Sequence, residues 1–123
     1  MLFRSFILGD SMRIHQAVAN LLANARTHTP AGTNIAVNAE SGENEVTITV
    51  SDDGPGLSAT DQERIFERFF RADPSRKRTS GEGSGLGLAI VDAVMKAHGG
   101  SVTVASEEGK GCAFTLHLPI TKD

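Results

Sequence analysis

Hydrophobic and polar residues alternate along this chain with two different periods. Three segments show the 3.6-residue spacing of a helix: residues 11–28, 60–70 and 86–98. Four segments show the two-residue alternation of a strand: residues 34–40, 45–51, 102–105 and 113–118. The order is a helix, a hairpin, two helices and a second hairpin, which predicts an α+β fold with three helices covering one face of a sheet.

Two of the helical segments carry a clear apolar stripe. In the first segment the stripe consists of Ile14, Val18, Leu21, Leu22 and Ala25. In the third segment it consists of Ile90, Val91, Val94 and Met95, and Gly99-Gly100 follows as a stop signal. We predict that these stripes pack against the sheet.

Composition limits the chain to one domain. The 123 residues are 39% hydrophobic and 22% charged, which is enough for one compact core and too little for two. We predict a single domain over residues 1–123, in which residues 1–8 form a strand or are partly foreign to the natural protein. The single cysteine, Cys112, excludes an internal disulfide and fits a reducing compartment.

Charge indicates which partners the domain lacks. The net charge is −3 and both signs are spread along the chain, so the sequence shows no basic surface for nucleic acid or an anionic membrane. The chain also has no apolar run of bilayer-spanning length. We expect no nucleic-acid partner and no membrane contact from this domain.

A glycine-rich stretch, GEGSGLGL over residues 81–88, precedes the third helical segment. Glycine lacks a Cβ atom, so successive backbone N–H groups can converge on an anion. A helix that begins near Leu86 would add the positive end of its dipole at the same place. The pattern predicts a phosphate-binding loop, and a plain flexible loop remains the alternative.

An acidic turn, Asp52-Asp53-Gly54-Pro55-Gly56, follows the second strand. Asp52 continues the inward series of that strand, whereas Asp53 points to the other face. A carboxylate aimed at an apolar layer requires hydrogen bonds, which the exocyclic amine of a purine would supply. An ordinary surface turn is the alternative.

Two asparagines lie four residues apart on the first helix. Asn20 and Asn24 share a helix face, although asparagine is a mediocre helix former. Amide oxygens suit Mg²⁺, a hard ion that shares phosphate oxygens. A solvated polar face is the alternative here.

The order of these motifs resembles the catalytic ATP-binding domain of sensor histidine kinases. That family has an asparagine box, a first glycine box, a phenylalanine box and a second glycine box. The similar segments here are residues 20–25 (NLLANA), 52–56 (DDGPG), 65–71 (IFERFFR) and 83–88 (GSGLGL). The resemblance extends from about Asp10 to Pro119 and implies a Bergerat fold, a two-layer α/β sandwich with a mixed, mainly antiparallel sheet and an ATP lid over residues 72–85.

The resemblance also implies the ligands, ATP and Mg²⁺, and the residues that bind them. Asp52 would bind the adenine amino group, Asn24 would ligate Mg²⁺ beside Asn20, and Arg68 or Arg71 would reach the γ-phosphate. The ring of His28 would lie against adenine. By position, the nucleotide-binding residues would be Asn24, Thr27, His28, Asp52, Gly54, Gly56, Gly83, Ser84, Gly85, Leu86, Gly87, Leu88 and Cys112.

The family resemblance further implies the reaction. ATP-hydrolysing relatives have a glutamate in the part of the helix where Asn20 lies, and an amide cannot act as a base toward water. This favours a kinase that donates the γ-phosphoryl group to a histidine of a separate dimerisation and phosphoacceptor domain, with a response regulator downstream. We expect a monomeric catalytic domain on the cytoplasmic side of a membrane-bound bacterial receptor.

Two positions depart from the family pattern. Thr27 occupies a position where a lysine or arginine commonly contacts phosphate, and Cys112 replaces a threonine that supports the adenine-binding aspartate. We expect Cys112 to be mostly buried, because it shares a strand face with Phe114 and Leu116. The alternatives are an anti-sigma serine kinase or ATPase of the same superfamily, and a degenerate interaction module that binds no nucleotide.

Overall fold

The computed structural model describes residues 11–67 and 87–120. The helices in these ranges are α1 (Ser11–His28), α2 (Ala59–Arg64) and α3 (Gly87–Ala97). The strands are β1 (Ile35–Ser41), β2 (Glu45–Asp52), β3 (Ser101–Glu107) and β4 (Gly111–Pro119). They form one sheet in the order β1-β2-β4-β3. The predicted α+β class and the four strands predicted between residues 34 and 118 are confirmed, and the described strands pair antiparallel. Residues 1–8, where a further strand was predicted, lie outside the described residues.

The sheet has one covered and one open face. Residues on the covered face, such as Val50 and Leu116, are 2% and 0% exposed. The open face is polar, and at its centre the hydroxyls of Thr49 and Thr115 lie 3.2 Å apart across β2 and β4. Alternation along each strand therefore separates an apolar layer from a solvated one, as the sequence pattern predicts.

The core lies between the sheet and the helices α1 and α3. Buried residues on α1 recur at helical spacing: Ile14, Ala17, Leu21 and Ala25. Those on α3 are Leu88, Val91, Val94 and Met95. The prediction that Ile90 belongs to the apolar face of α3 is wrong, because Ile90 lies about 100° round the helix from Val91 and is 42% exposed. Leu88 occupies the core instead.

A glycine pair ends α3 and turns the chain into β3. Gly99 adopts a φ of 76°, and its N–H donates to the carbonyl of Lys96 at 3.1 Å. The N–H of Gly100 donates to the carbonyl of Met95 at 2.8 Å. These two bonds form a Schellman motif and confirm the predicted helix stop.

Helix α2 is shorter than its sequence pattern predicts. It begins after Ser58, whose Oγ accepts from the Asp61 N–H at 3.1 Å, and it ends at Arg64 rather than at residue 70. No residue of α2 itself is buried. The following residues anchor the chain instead, since Ile65 is 9% exposed and the ring of Phe66 meets that of Phe114 edge-on at 6.0 Å.

Among the described residues, no helix combines the length and apolar character that a membrane crossing requires.

Candidate functional site

A row of four partly buried residues crosses one end of the covered face. Asp52 ends β2 and pairs with Cys112 at the beginning of β4. Cys112 in turn pairs with Ser106 on β3, and Ile35 of β1 flanks Asp52 on the other side. The row forms a floor at the edge of the core, where side chains are neither fully buried nor fully solvated.

The Asp52 carboxylate points toward the covered face, as strand parity predicts. Its Oδ1 accepts a hydrogen bond from the Gly54 N–H at 2.9 Å. Within residues 11–67 and 87–120 no other hydrogen bond to this carboxylate is present. A carboxylate has about four acceptor positions, so most of them are open to a donor from a ligand.

The neighbouring carboxylate, Asp53, points to the opposite side. It accepts from the backbone N–H of Asn34 at 2.9 Å and from the Asn34 side-chain amide at 3.0 Å. These hydrogen bonds to the charged form lower the pKa of Asp53, the backbone bond contributing most. Asp53 therefore ties the acidic turn to the chain that enters β1, which leaves Asp52 as the carboxylate on the floor.

The end of helix α1 closes against the acidic turn. A Cβ atom at Gly54 would lie 2.7 Å from Cγ2 of Thr29 and 3.1 Å from Oδ1 of Asp52. Thr29 is held in place because its hydroxyl donates to the carbonyl of Ala25 at 2.7 Å. Glycine at position 54 thus lets the last turn of α1 approach Asp52 closely, and this brings the backbone of Thr27 and His28 to the same region.

The β3–β4 hairpin closes against the other side of the turn. Gly56 has a φ of 76°, and a Cβ atom there would collide with the carbonyl of Glu107. Gly111 has a φ of 103°, and a Cβ atom there would collide with the carbonyl of Asp52. The Gly109 N–H also donates to the Pro55 carbonyl at 2.7 Å. The structure gives Gly54 and Gly56 packing roles, and their contact with a nucleotide stays a prediction.

Ser106 and Gln62 fix the end of the same loop. The Ser106 hydroxyl accepts from the Leu57 N–H at 2.8 Å and donates to the Gly111 carbonyl at 2.7 Å. The Gln62 amide donates to the carbonyls of Leu57 and Ser106 at 3.2 Å and 3.0 Å. The sequence pattern did not point to either residue, nor to Thr29 and Asn34. The only signal for Ser106 is that it continues the inward alternation of Val102 and Val104.

Cys112 lies beside Asp52 and is partly buried. Burial, and secondarily the negative charge of Asp52, raises the pKa of the Cys112 thiol to about 11, against a smaller opposing effect of a hydrogen bond with Ser106. The residue therefore contributes a neutral thiol to the floor at physiological pH.

The raised pKa of Cys112 makes its thiol slow to alkylate. Because the thiolate is the reactive form, we expect iodoacetamide at pH 8 to modify the folded chain about 100-fold more slowly than the chain unfolded in urea. Mass spectrometry of timed samples measures both rates, and raising the pH toward 11 should narrow the difference. Equal rates at pH 8 would contradict the environment described for this thiol.

The amides of Asn20 and Asn24 lie one turn apart on α1 and are partly buried. Neither has a hydrogen-bond partner among the residues that the structure describes. Thr27, also partly buried, lies nearly one turn further along, whereas Arg26 is exposed. The two side chains share one helix face, where their amide oxygens are available to a ligand.

Several predicted site residues lie outside the described part of the chain. These are Arg68, Arg71, Gly83, Ser84, Gly85 and Leu86, together with the predicted lid over residues 72–85 and the side chain of His28. Two residues of the second glycine box, Gly87 and Leu88, are described. Gly87 begins α3 and is exposed, whereas the side chain of Leu88 is 8% exposed and packs in the core. Any contact of Leu88 with a ligand would therefore come from its backbone.

The described residues form an α+β domain with a candidate ligand site at one end of its sheet. Over residues 9–122 the chain matches the family model described as "Histidine kinase-, DNA gyrase B-, and HSP90-like ATPase". The chain belongs to this family, and the resemblance seen in its motifs is confirmed: it is a catalytic ATP-binding domain of the histidine kinase type.

Related proteins agree with this assignment. The chain is 50% identical over 114 residues to the "Probable sensor histidine kinase TcrY" of Mycobacterium tuberculosis, which covers 93% of this chain and 24% of that protein. It is 44% identical over 113 residues to the "Sensor-like histidine kinase SenX3" of Mycolicibacterium smegmatis, covering 92% of this chain and 29% of that one. The chain thus spans about a quarter of the length of these curated relatives.

Solved structures show the same fold. The mycobacterial sensor histidine kinase MprB superposes with a TM-score of 0.81 at 34% identity, covering 95% of this chain and 78% of that structure. Full-length ShkA in complex with AMPPNP gives a TM-score of 0.80 at 33% identity, covering 95% of this chain and 23% of that structure.

Proposed function

We propose that this domain binds Mg²⁺-ATP and donates the γ-phosphoryl group to a histidine on a separate dimerisation and phosphoacceptor domain. The observation that carries the proposal is the Asp52 carboxylate, which is partly buried at the end of β2 and has open acceptor positions. A donor that replaces water at such a carboxylate forms a charge-assisted hydrogen bond. The amino group of adenine is a donor of this kind.

Adenine would lie on the row that includes Asp52 and Cys112. Thr29 and Gly54 bound this region on the side of α1, since the Thr29 methyl group fills the space that a side chain at position 54 would need. The partly buried thiol of Cys112 offers a weak hydrogen-bonding group and an apolar surface. The flat, largely apolar base suits this mixture of one charged acceptor and apolar walls.

The triphosphate would extend along α1 toward Asn20 and Asn24. Both amides are partly buried and unpaired among the described residues, so the donor set fits Mg²⁺, which takes oxygen ligands and keeps several waters. When bound, Mg²⁺ neutralises part of the triphosphate charge. We assign Asn24 as the protein ligand of the ion, with Asn20 beside it.

The phosphates themselves would meet the backbone of Gly83, Gly85 and Gly87. Gly87 begins α3, so the N–H groups of the first helical turn carry the positive end of the helix dipole. Arg71 or Arg68 would contact the γ-phosphate and stabilise the charge that it develops during transfer. These assignments come from the family resemblance and from the position of α3.

The phosphoacceptor would come from another domain, and two of the four histidines of this chain are held by hydrogen bonds away from the floor around Asp52. His98 lies at the end of α3 with Nδ1 2.8 Å from the Val94 carbonyl oxygen. His117 lies on the open face of the sheet with Nε2 3.0 Å from the Thr103 hydroxyl. In the transfer, the bond between the γ-phosphorus and its bridging oxygen breaks, a P–N bond forms to the incoming imidazole, and ADP leaves. The imidazole proton passes to solvent.

Asn20 favours transfer to histidine over hydrolysis. A base near the γ-phosphate would activate water, and an amide cannot accept a proton at neutral pH. We propose, further, that the domain acts as a monomer on the cytoplasmic side of a membrane-bound bacterial receptor, with a response regulator receiving the phosphoryl group.

Asn24→Ala should remove the Mg²⁺-dependent part of ATP affinity. We expect the wild type to bind ATP about tenfold or more tightly with Mg²⁺ than with EDTA, and the variant to bind equally under both conditions. Isothermal titration calorimetry measures these four constants. Asn38→Ala, which removes an exposed amide from β1, is the matched control and should behave as the wild type. A full Mg²⁺ effect in Asn24→Ala would remove this residue from the metal site.

Phosphotransfer is tested by mixing the domain with a purified dimerisation-helix domain and γ-labelled ATP. The proposal predicts label on the acceptor that is lost in acid and retained in alkali, as expected for phosphohistidine. Acid-stable label would indicate a serine kinase. Released phosphate without labelled acceptor would indicate an ATPase, and absence of ATP binding would indicate an interaction module.

A further inference from the structure

We propose that Ser106 and Gln62 are positioning residues for base recognition: they hold the loop of residues 53–57 so that the Asp52 carboxylate discriminates adenine from other purines. The inference rests on the proposed role of Asp52 in binding adenine. Ser106 and Gln62 do not belong to any of the recognised motifs. They would affect the selectivity of the site for adenine without contacting the nucleotide.

The first step is that the orientation of Asp52 depends on the loop that follows it. Oδ1 of Asp52 is held by the N–H of Gly54, two residues further along. That peptide has no regular secondary structure to fix it. The carboxylate therefore keeps its direction only while the loop keeps its shape.

The second step is that Ser106 anchors the far end of this loop. Its hydroxyl accepts from the Leu57 N–H at 2.8 Å and gives its single proton to the Gly111 carbonyl at 2.7 Å. Gly111 is the residue whose Cα lies against the carbonyl of Asp52. One hydroxyl thus joins the end of the loop to the strand that supports its beginning.

The third step is that Gln62 fixes Ser106 and Leu57 relative to each other. Its amide nitrogen donates both protons, one to the Leu57 carbonyl at 3.2 Å and one to the Ser106 carbonyl at 3.0 Å. Gln62 lies on α2, so it also joins the loop to the segment that leads toward the predicted γ-phosphate residues. A side-chain amide nitrogen carries two donors, which suits it to this pair of bonds.

The hydrogen-bond network of Ser106 also lies next to the proposed adenine site. Ser106, Cys112 and Asp52 are successive members of one cross-strand row. Cys112 lies between Ser106 and Asp52 in that row, and the charge of Asp52 contributes to raising the pKa of its thiol. A change at Ser106 therefore reaches Asp52 through the loop and through their shared cross-strand neighbour.

Inosine triphosphate provides the readout that separates positioning from simple stability. Its purine has a carbonyl oxygen where adenine has the amino group, so a fixed carboxylate binds adenine and repels hypoxanthine. A loosened carboxylate can rotate away from the carbonyl oxygen. Loss of positioning should weaken ATP binding and leave ITP binding nearly unchanged, whereas a general loss of stability would weaken both equally.

The experiment measures the dissociation constants of Mg²⁺-ATP and Mg²⁺-ITP for the 123-residue chain by calorimetry. We expect Ser106→Ala to lower the ratio of the ITP constant to the ATP constant about tenfold, and Gln62→Met to lower it severalfold. Ser106→Thr keeps the hydroxyl and should restore the ratio. Thr115→Val removes a strand hydroxyl that pairs with Thr49 on the open face, and it should leave the ratio at the wild-type value.

An unchanged ratio in both Ser106→Ala and Gln62→Met would overturn the inference while leaving the role of Asp52 intact. If Ser106→Ala does not fold, the ratio measured for Gln62→Met decides the matter in the same way. A wild type that binds ATP and ITP equally, or an Asp52→Asn variant that keeps the wild-type ratio, would instead overturn the role of Asp52 and the inference with it.

Discussion

Asp52→Asn is expected to raise the dissociation constant of ATP on the order of 100-fold. The substitution replaces a charged acceptor by an amide, which loses the stronger hydrogen bond and can present its own donor to the adenine amino group. The fold should persist, because an amide oxygen can still accept from the Gly54 N–H that now bonds Oδ1. Isothermal titration calorimetry with Mg²⁺-ATP gives the affinity, and thermal unfolding without nucleotide reports the fold.

The adjacent carboxylate supplies a matched control for that variant. Asp53→Asn makes the same change of charge one residue away, on a side chain that points outward and bonds Asn34. We expect a much smaller loss of ATP affinity than for Asp52→Asn, since an exposed charge contributes little at this distance and the new amide oxygen can still accept from the Asn34 N–H that holds the turn. Equal losses in the two variants would mean that net charge, rather than the position of Asp52, governs binding.

Gly111→Ala is expected to destabilise the domain by several kcal/mol and to abolish ATP binding at any temperature where it remains folded. The added Cβ would collide with the Asp52 carbonyl and lie 3.0 Å from the Asp53 Cα, both backbone atoms that cannot yield by a change of rotamer. The φ of 103° adds strain for any residue other than glycine. Urea unfolding measures the stability, and calorimetry measures ATP binding.

Gly109→Ala is a control that introduces the strain of a positive φ without a collision of the added Cβ atom. Gly109 lies in the same hairpin with a φ of 84°, but a Cβ atom there would meet nothing within 4 Å. We expect a cost of only about 1–2 kcal/mol, from the left-handed backbone conformation, and nearly normal ATP binding. If Gly111→Ala and Gly109→Ala reduced the stability and the ATP affinity by equal amounts, the close approach of β4 to Asp52 would not be important for ATP binding.

Much of the fold follows from local pattern. Strand parity placed Asp52 on the covered face and Asp53 on the other, because alternation along β2 continues to the last residue of the strand. The Gly99-Gly100 pair ended α3 where the left-handed conformation of glycine allows it. These predictions succeed because each depends on neighbouring residues only.

Predictions that depend on partners distant in sequence were less successful. The choice between Leu88 and Ile90 for the core depends on which side of α3 faces α1 and the sheet, and the two residues are equally apolar. The residues that follow α2 are fixed by a contact between Phe66 and Phe114, which are far apart along the chain. Helical spacing alone contains neither fact.

The supporting residues of the site were missed for the same reason. Ser106 lay outside the strand predicted over residues 102–105, so its pairing with Cys112 was not visible in the pattern. Gln62 bonds two backbone carbonyls, and such carbonyls are present at every position of a chain. Polar side chains that serve backbone atoms leave no spacing signal, whereas the motif glycines and Asp52 do.

Thermal unfolding with and without Mg²⁺-ATP tests the central claim, that the floor around Asp52 is a nucleotide site, most directly. The chain has no Trp or Tyr, so calorimetry or an external dye is the suitable probe. ATP at 100 times its dissociation constant should stabilise the folded state by about 2.7 kcal/mol, which is a shift of several degrees for a domain of this size. The shift should disappear in Asp52→Asn. No shift in the wild type at millimolar ATP with Mg²⁺ would contradict the assignment.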